Sequence, residues 1–111
     1  MENLSAHRAK EYSMTTTPIA QTIKGHRVWI QGLDRYGIPE GTGYNVTYGN
    51  DAILITMPSL VHGQPVATKR TVSKGKGGII DLEGKKVTQW AQGHTVASVE
   101  FSLTSIIITR A

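Results

Sequence analysis

The chain has 111 residues, of which 39% are hydrophobic, 18% charged and 6% aromatic. That length holds one compact domain and excludes two large independent ones, and the composition is that of a lean soluble domain, not a disordered tail. The absence of cysteine excludes disulfides, thiolate nucleophiles and Cys-ligated zinc. Twelve Lys+Arg against eight Asp+Glu leave a formal charge of +4, an excess that matters only where it clusters.

Residues 1–20 show no periodicity. SAHRAKEY is long enough for a turn or two of helix, which is marginal in isolation, and the TTTP that follows favours an extended, flexible arm. The polar start has no apolar stretch of signal-peptide length, and no run approaches the roughly 20 apolar residues that span a bilayer. The expected location is the cytoplasm. From Thr22 the pattern turns strand-like: in TIKGHRVWI, Val28 and Ile30 alternate with Arg27 and Trp29. GLDRYGIPEGTG is too rich in Gly and Pro for a long helix, with LDRY giving one turn. YNVTYGNDAILIT then reads as a β-hairpin. Tyr44, Val46 and Tyr48 alternate on one face, Gly49-Asn50-Asp51 tolerates positive φ, and Ile53 and Ile55 return on the same face.

The stretch 57–78 breaks this order with two Pro, four Gly and a basic cluster. Within it VATKRTV has the spacing of a short edge strand. In IIDLEGKKVTQWA, Ile80 and Leu82 suit a strand, while Val87, Trp90 and Ala91 suit one short helix. VASVEFSLTSIIIT closes the chain as a second hairpin.

The two hairpins superpose without a gap. At an offset of 53, Val46 meets Val99, Tyr48 meets Phe101, Ile53 meets Ile106, Ile55 meets Ile108 and Thr56 meets Thr109. Upstream, IKGHRV (23–28) matches LEGKKV (82–87) at an offset of 59, each a strand followed by Gly-basic-basic. The chain is therefore expected to comprise an arm (1–20), a first repeat (21–57), a basic Gly/Pro-rich linker (58–78) and a second repeat (79–111). One copy is too small to cover both faces of a sheet. Two copies packed face to face give a mostly-β, barrel-like pseudo-dimer with one or two short helical turns.

Between Lys69 and Lys86 lie Lys69, Arg70, Lys74, Lys76, Lys85 and Lys86, opposed there only by Asp81 and Glu83. Such a segment suits a polyanion binder and equally suits a linker kept open by self-repulsion. The catalytic signatures are missing. His7, His26, His62 and His94 have no HxxxH or HExxH spacing, KGKGG lacks the leading Gly of a phosphate loop, and no GxSxG is present. Asp81 and Glu83, beside Lys85 and Lys86, fit a charge-balanced turn better than a metal site. Trp29 and Trp90 are expected to pack wholly or partly in the core, with base stacking as the alternative. No enzyme, metal or cofactor is expected.

The first copy, through GHRVWIQ (25–31), LDRY (33–36), GIPEG (37–41) and YNVTYGNDAILI (44–55), resembles the AbrB/MazE-type swapped-hairpin DNA-binding domain. IIDLEGKKVTQWAQGHTVASVEF (79–101) is similar to the SymE-like branch of that superfamily. Gln31 stands where the family has a helix-opening Pro, and the second copy lacks that Pro too. The resemblance implies a swapped-hairpin fold with both halves in one chain, and a DNA-binding transcriptional regulator or antitoxin-like protein. By position in the motif, His26, Arg27, Lys85 and Lys86 would lie on DNA; charge alone adds Lys69, Arg70, Lys74 and Lys76. With five arginines in the chain, backbone-dominated, salt-sensitive binding is expected over base readout. Two further readings stand beside it: a small protein-binding inhibitor of a host enzyme or defence system, of mobile-element type, and a SymE-like RNA-associated toxin.

Overall fold

The computed structural model describes residues 18–62 and 67–111, and none of its helices is long and apolar enough to cross a membrane. The chain forms strands β1 (Ile19–Lys24), β2 (Arg27–Gln31), β3 (Gly43–Tyr48), β4 (Ala52–Thr56), β5 (Arg70–Thr71), β6 (Ile79–Glu83), β7 (Val96–Phe101) and β8 (Ser105–Arg110). A 3-10 turn, Leu33–Tyr36, follows β2; helix α1 (Pro58–His62) follows β4, and helix α2 (Lys85–Ala91) follows β6. The eight strands form one antiparallel sheet in the order β5-β3-β4-β8-β7-β1-β2-β6. A bridge between Ser73 and Ile79 draws its two ends together, so the sheet curls into a nearly closed barrel.

Alternation decides which side faces inward. Val28 and Ile30 of β2, Ile80 and Leu82 of β6, Ile53 and Ile55 of β4, and Ile106 and Ile108 of β8 are all buried. Each is flanked by polar or half-exposed neighbours, the period-2 signature of a strand with one wet face. Fully burying such a side chain stabilises the fold by about 1.5–3 kcal/mol. Trp90 and Val87 from α2 and Leu33 from the 3-10 turn complete the core.

The duplication is real at the level of hydrogen-bond register. In the first hairpin Val46 pairs with Ile55 and Tyr48 with Ile53; in the second Val99 pairs with Ile108 and Phe101 with Ile106. Adding 53 to each number of the first set gives the second. The hairpins lie side by side through β4 and β8, with Leu54 opposite Ile107 and Ile53 opposite Ile108. β2 and β6 likewise pair about Trp29 and Asp81. Both pairings are what a twofold relation between the halves requires. Tyr36 of the first half stacks on Phe101 of the second at 3.8 Å and 4° between rings, and Lys86 of the second half lies 5.7 Å from the Tyr48 ring of the first. Each half thus places its helical turn on the other half's hairpin.

The upstream correspondence differs from the one the Gly-basic-basic likeness suggests. β2 answers β6, not the segment before it, so Val28 matches Ile80, Ile30 matches Leu82 and Gly32 matches Gly84, an offset of 52. β1 answers residues 68–72. The Ile23 N–H donates to Thr95 O (2.8 Å) as Val72 N–H donates to Thr42 O (2.9 Å), and Thr42 and Thr95 are 53 apart. The stretch 58–78, expected as a linker, therefore holds α1 as well as the edge strand β5, which falls within the VATKRTV segment expected to form one. β1 begins at Ile19, inside the stretch expected to be an arm, because Ile19 pairs with Val99; residues 1–17 lie outside the described residues. In the first turn Gly49 N–H closes onto Ala52 O at 2.8 Å without any of Gly49, Asn50 or Asp51 adopting positive φ.

Candidate nucleic-acid interface

The Gly-basic-basic corners do come together. The Gly84 N–H donates to His26 O at 2.9 Å, joining the β1–β2 turn to the start of α2. Gly84 has φ 119° and ψ −170°, a combination open to glycine alone, and this lets β6 turn directly into the helix. Its counterpart Gly32 (φ 72°) donates to Lys76 O at 2.9 Å, so loop 74–78 is the second half's version of the Gly25-His26 turn. Lys74 and Lys76 sit on that loop, which is pinned to the opposite corner by Asp34 N–H to Gly77 O (2.8 Å) and Gly75 N–H to Glu40 Oε2 (3.0 Å).

The eight candidate cations fall into three groups. Arg27 is committed: Nε and Nη2 close on the Asp81 carboxylate at 2.9 and 2.8 Å, and its guanidinium lies 4.5 Å from the exposed Trp29 ring. That ion pair holds the Asp81 carboxyl below its ordinary range. His26 stands 3.7 Å from Glu83. Asp81 thus does balance a charge at a turn, but that charge, Arg27, comes from the first half. Lys74 and Lys76 form the second group, on the far loop.

The third group converges. β5 and β6 splay apart beyond the Ser73–Ile79 bridge, and the split opens an elongated groove of about 570 Å³ with Lys69 and Arg70 on one wall and Glu83, Lys85 and Lys86 on the other. Its floor is β3: Tyr44, Val46 and Tyr48. A second reach of about 530 Å³, sharing Val46, Tyr48 and Lys86, carries it on past Gln89, Trp90 and Asn50. No carboxylate among the described residues forms an ion pair with Lys69, Lys85 or Lys86. Arg70 stands opposite Tyr44 in the β3–β5 ladder, and burial raises the pKa of both Tyr44 and Tyr48, so both phenols are neutral at ordinary pH. Two lysines in the first turn of α2, with no acidic residue there, oppose the helix dipole. Helix stability does not account for them.

Sequence reasoning named all four of these cations but missed the floor. Tyr44, Val46 and Tyr48 read as a core face, which they are, yet Val46 and Tyr48 stay half-buried where Val99 and Phe101 are fully buried. The available signal was the exchange of Ala97 and Phe101 for two tyrosines. Of the two tryptophans, Trp90 is in the core (4% exposed) and Trp29 is on the outer face (36%), over a hollow of about 310 Å³ between β1 and β2. No cluster of His, Asp or Glu among the described residues fits a metal ion.

Searches of family models, of curated proteins and of solved structures find no match to this chain.

Proposed function

We propose that this chain is a cytoplasmic DNA-binding protein of regulator or antitoxin type that grips the sugar–phosphate backbone through the groove between β5 and α2. The observation that carries the reading is the convergence of Lys69 and Arg70 with Lys85 and Lys86, from two elements, onto one open groove without ion-pair partners among the described residues. Long cationic side chains on a groove rim reach phosphate oxygens and fix register without reading sequence. The resemblance of the sequence to AbrB/MazE-type domains supports the same reading. Lys74 and Lys76 add long-range attraction; Arg27, locked on Asp81, serves the fold.

The test is fluorescence anisotropy of labelled DNA, as a mixed-sequence duplex and as its separated strands, from 50 to 200 mM salt. Four phosphate contacts give a slope of log affinity on log salt of about −3 to −4. Absence of salt-dependent binding to any of these forms would overturn the proposal. A second reading, a protein-binding module, is favoured by the exposed Trp29 with Arg27 stacked on it, the residue types that anchor interfaces. Under that reading the protein shows no salt-dependent DNA binding and co-purifies with a protein partner at high salt, an association that Trp29→Ala abolishes.

A further inference from the structure

Resting on the nucleic-acid reading of the groove, we infer that its occupant is an unpaired strand, with a base stacked on Tyr48 and the flanking phosphates held by Lys69, Arg70, Lys85 and Lys86. The molecule contains its own control for this geometry. On the second hairpin, the face equivalent to Tyr48 is sealed by a flat ring: Tyr36 lies parallel on Phe101 at 3.8 Å. Counting from the paired glycines Gly32 and Gly84, the residue corresponding to Tyr36 is Thr88, which is exposed and carries no ring. The Tyr48 ring is met instead by the Lys86 ammonium at 5.7 Å, near the outer limit of a cation–π contact. Lys86 can therefore leave the ring for a phosphate at little cost.

A nucleobase fits the vacancy on three counts. Its flat π-face reproduces the stack that the other half makes internally. It covers the apolar surface of Val46 and Tyr48, which stays half-exposed although it continues the core. Its phosphates fall on the cationic rim. A duplex satisfies the last condition alone, since its bases are paired inside and its phosphates cannot touch a recessed aromatic floor. The groove volume of about 570 Å³ is that of a small-ligand site, room for very few nucleotides. Base and phosphate are common to DNA and RNA, so the inference covers both; stacking on Tyr48 is open to any base, because every base has a π-face.

The experiment measures anisotropy of a labelled DNA octamer, the RNA octamer of the same sequence, and a hairpin duplex containing that sequence, at 100 mM salt, with wild type, Tyr48→Leu and Tyr48→Phe. Tighter binding of either single strand than of the duplex, by about tenfold or more, is expected. Tyr48→Leu should lose roughly tenfold or more on the strand that binds, the scale of one base–aromatic stack, and Tyr48→Phe should retain it; thermal unfolding of both variants shows that the fold is intact. Should Tyr48→Leu fail to fold, the single-strand to duplex ratio of wild type and Tyr48→Phe decides alone. Duplex binding as tight as single-strand binding, or a Tyr48→Leu protein that folds and binds like wild type, overturns this inference and leaves the DNA reading standing. No binding of any of the three probes overturns both.

Discussion

The two halves share a framework and differ in what they present. Val46 and Val99, Ile53 and Ile106, Ile55 and Ile108, Gly32 and Gly84, and Thr42 and Thr95 match in identity and in hydrogen-bond or packing role. Where the second half has Lys69, Arg70, Lys85 and Lys86, the first has Ala20, Gln21, Leu33 and Asp34 at corresponding places. Where the first hairpin has Tyr44 and Tyr48, the second has Ala97 and Phe101. The matched positions hold the barrel; the mismatched ones make a basic, open groove on one side and, on the other, a sealed surface without those four cations. Duplication thus separates folding requirements from ligand requirements within one chain. A residue repeated in both halves is there for the fold. A cation present in only one half needs another reason.

The largest expected effect tests the shared framework. Ile55→Ala and Ile108→Ala remove equivalent, fully buried side chains, and each should cost about 2–5 kcal/mol in urea unfolding. The two losses should agree within about 1 kcal/mol; a much greater disparity would show that the halves do not share the load. Next comes the groove. Reversing all four cations, Lys69→Glu, Arg70→Glu, Lys85→Glu and Lys86→Glu, should weaken nucleic-acid binding by about 100-fold or more, and each single Lys→Ala should flatten the salt slope by about 1. Reversing Lys74 and Lys76 on the opposite corner should change affinity by less than about threefold. Gly84→Ala follows: nothing crowds a Cβ there, but φ 119° does not suit one, so a loss of about 1–3 kcal/mol is expected from the backbone alone.

The smallest effect concerns the seam between the halves. Arg27 holds the Asp81 carboxyl below its ordinary value of 3.8, so the pair favours the folded state at any pH above about 4 and that contribution is lost as pH falls below it. Asp81→Asn should remove this part of the acid sensitivity in a pH series of thermal unfolding, with only a slight change at neutral pH because the pair is solvent-screened. An unchanged acid limb would mean that the pair is not formed in solution.

Much of the framework was legible in sequence because period-2 alternation and an offset of 53 are local signals. Val46-x-Tyr48 and Val99-x-Phe101 announce their strands whatever else surrounds them. The start of each repeat was not legible. Arg27–Gln31 and Ile79–Glu83 share little beyond Val28/Ile80, Ile30/Leu82 and the following Gly, whereas the Gly-basic-basic likeness of Gly25 and Gly84 is louder and structurally misleading. Loop 74–78 is three residues longer than the Gly25-His26 turn it corresponds to, which hid the equivalence of β5, legible as an edge strand in VATKRTV, to β1. The groove depends on which strands splay apart, a long-range property. Charge counting found its rim at Lys69, Arg70, Lys85 and Lys86, but only the three-dimensional arrangement separates these from Lys74, Lys76 and the committed Arg27. The tyrosine floor needed the internal comparison with Ala97 and Phe101.

Backbone-amide NMR of the full chain, titrated with the octamer, puts the whole picture to a single trial. Shifts should concentrate at Tyr44–Tyr48, Lys69–Arg70 and Glu83–Lys86, while Ala20–Gln21, Gln31–Asp34 and Ala97–Phe101 stay still. Equal perturbation of both halves, or shifts centred on Lys74–Gly78, would contradict a one-sided groove.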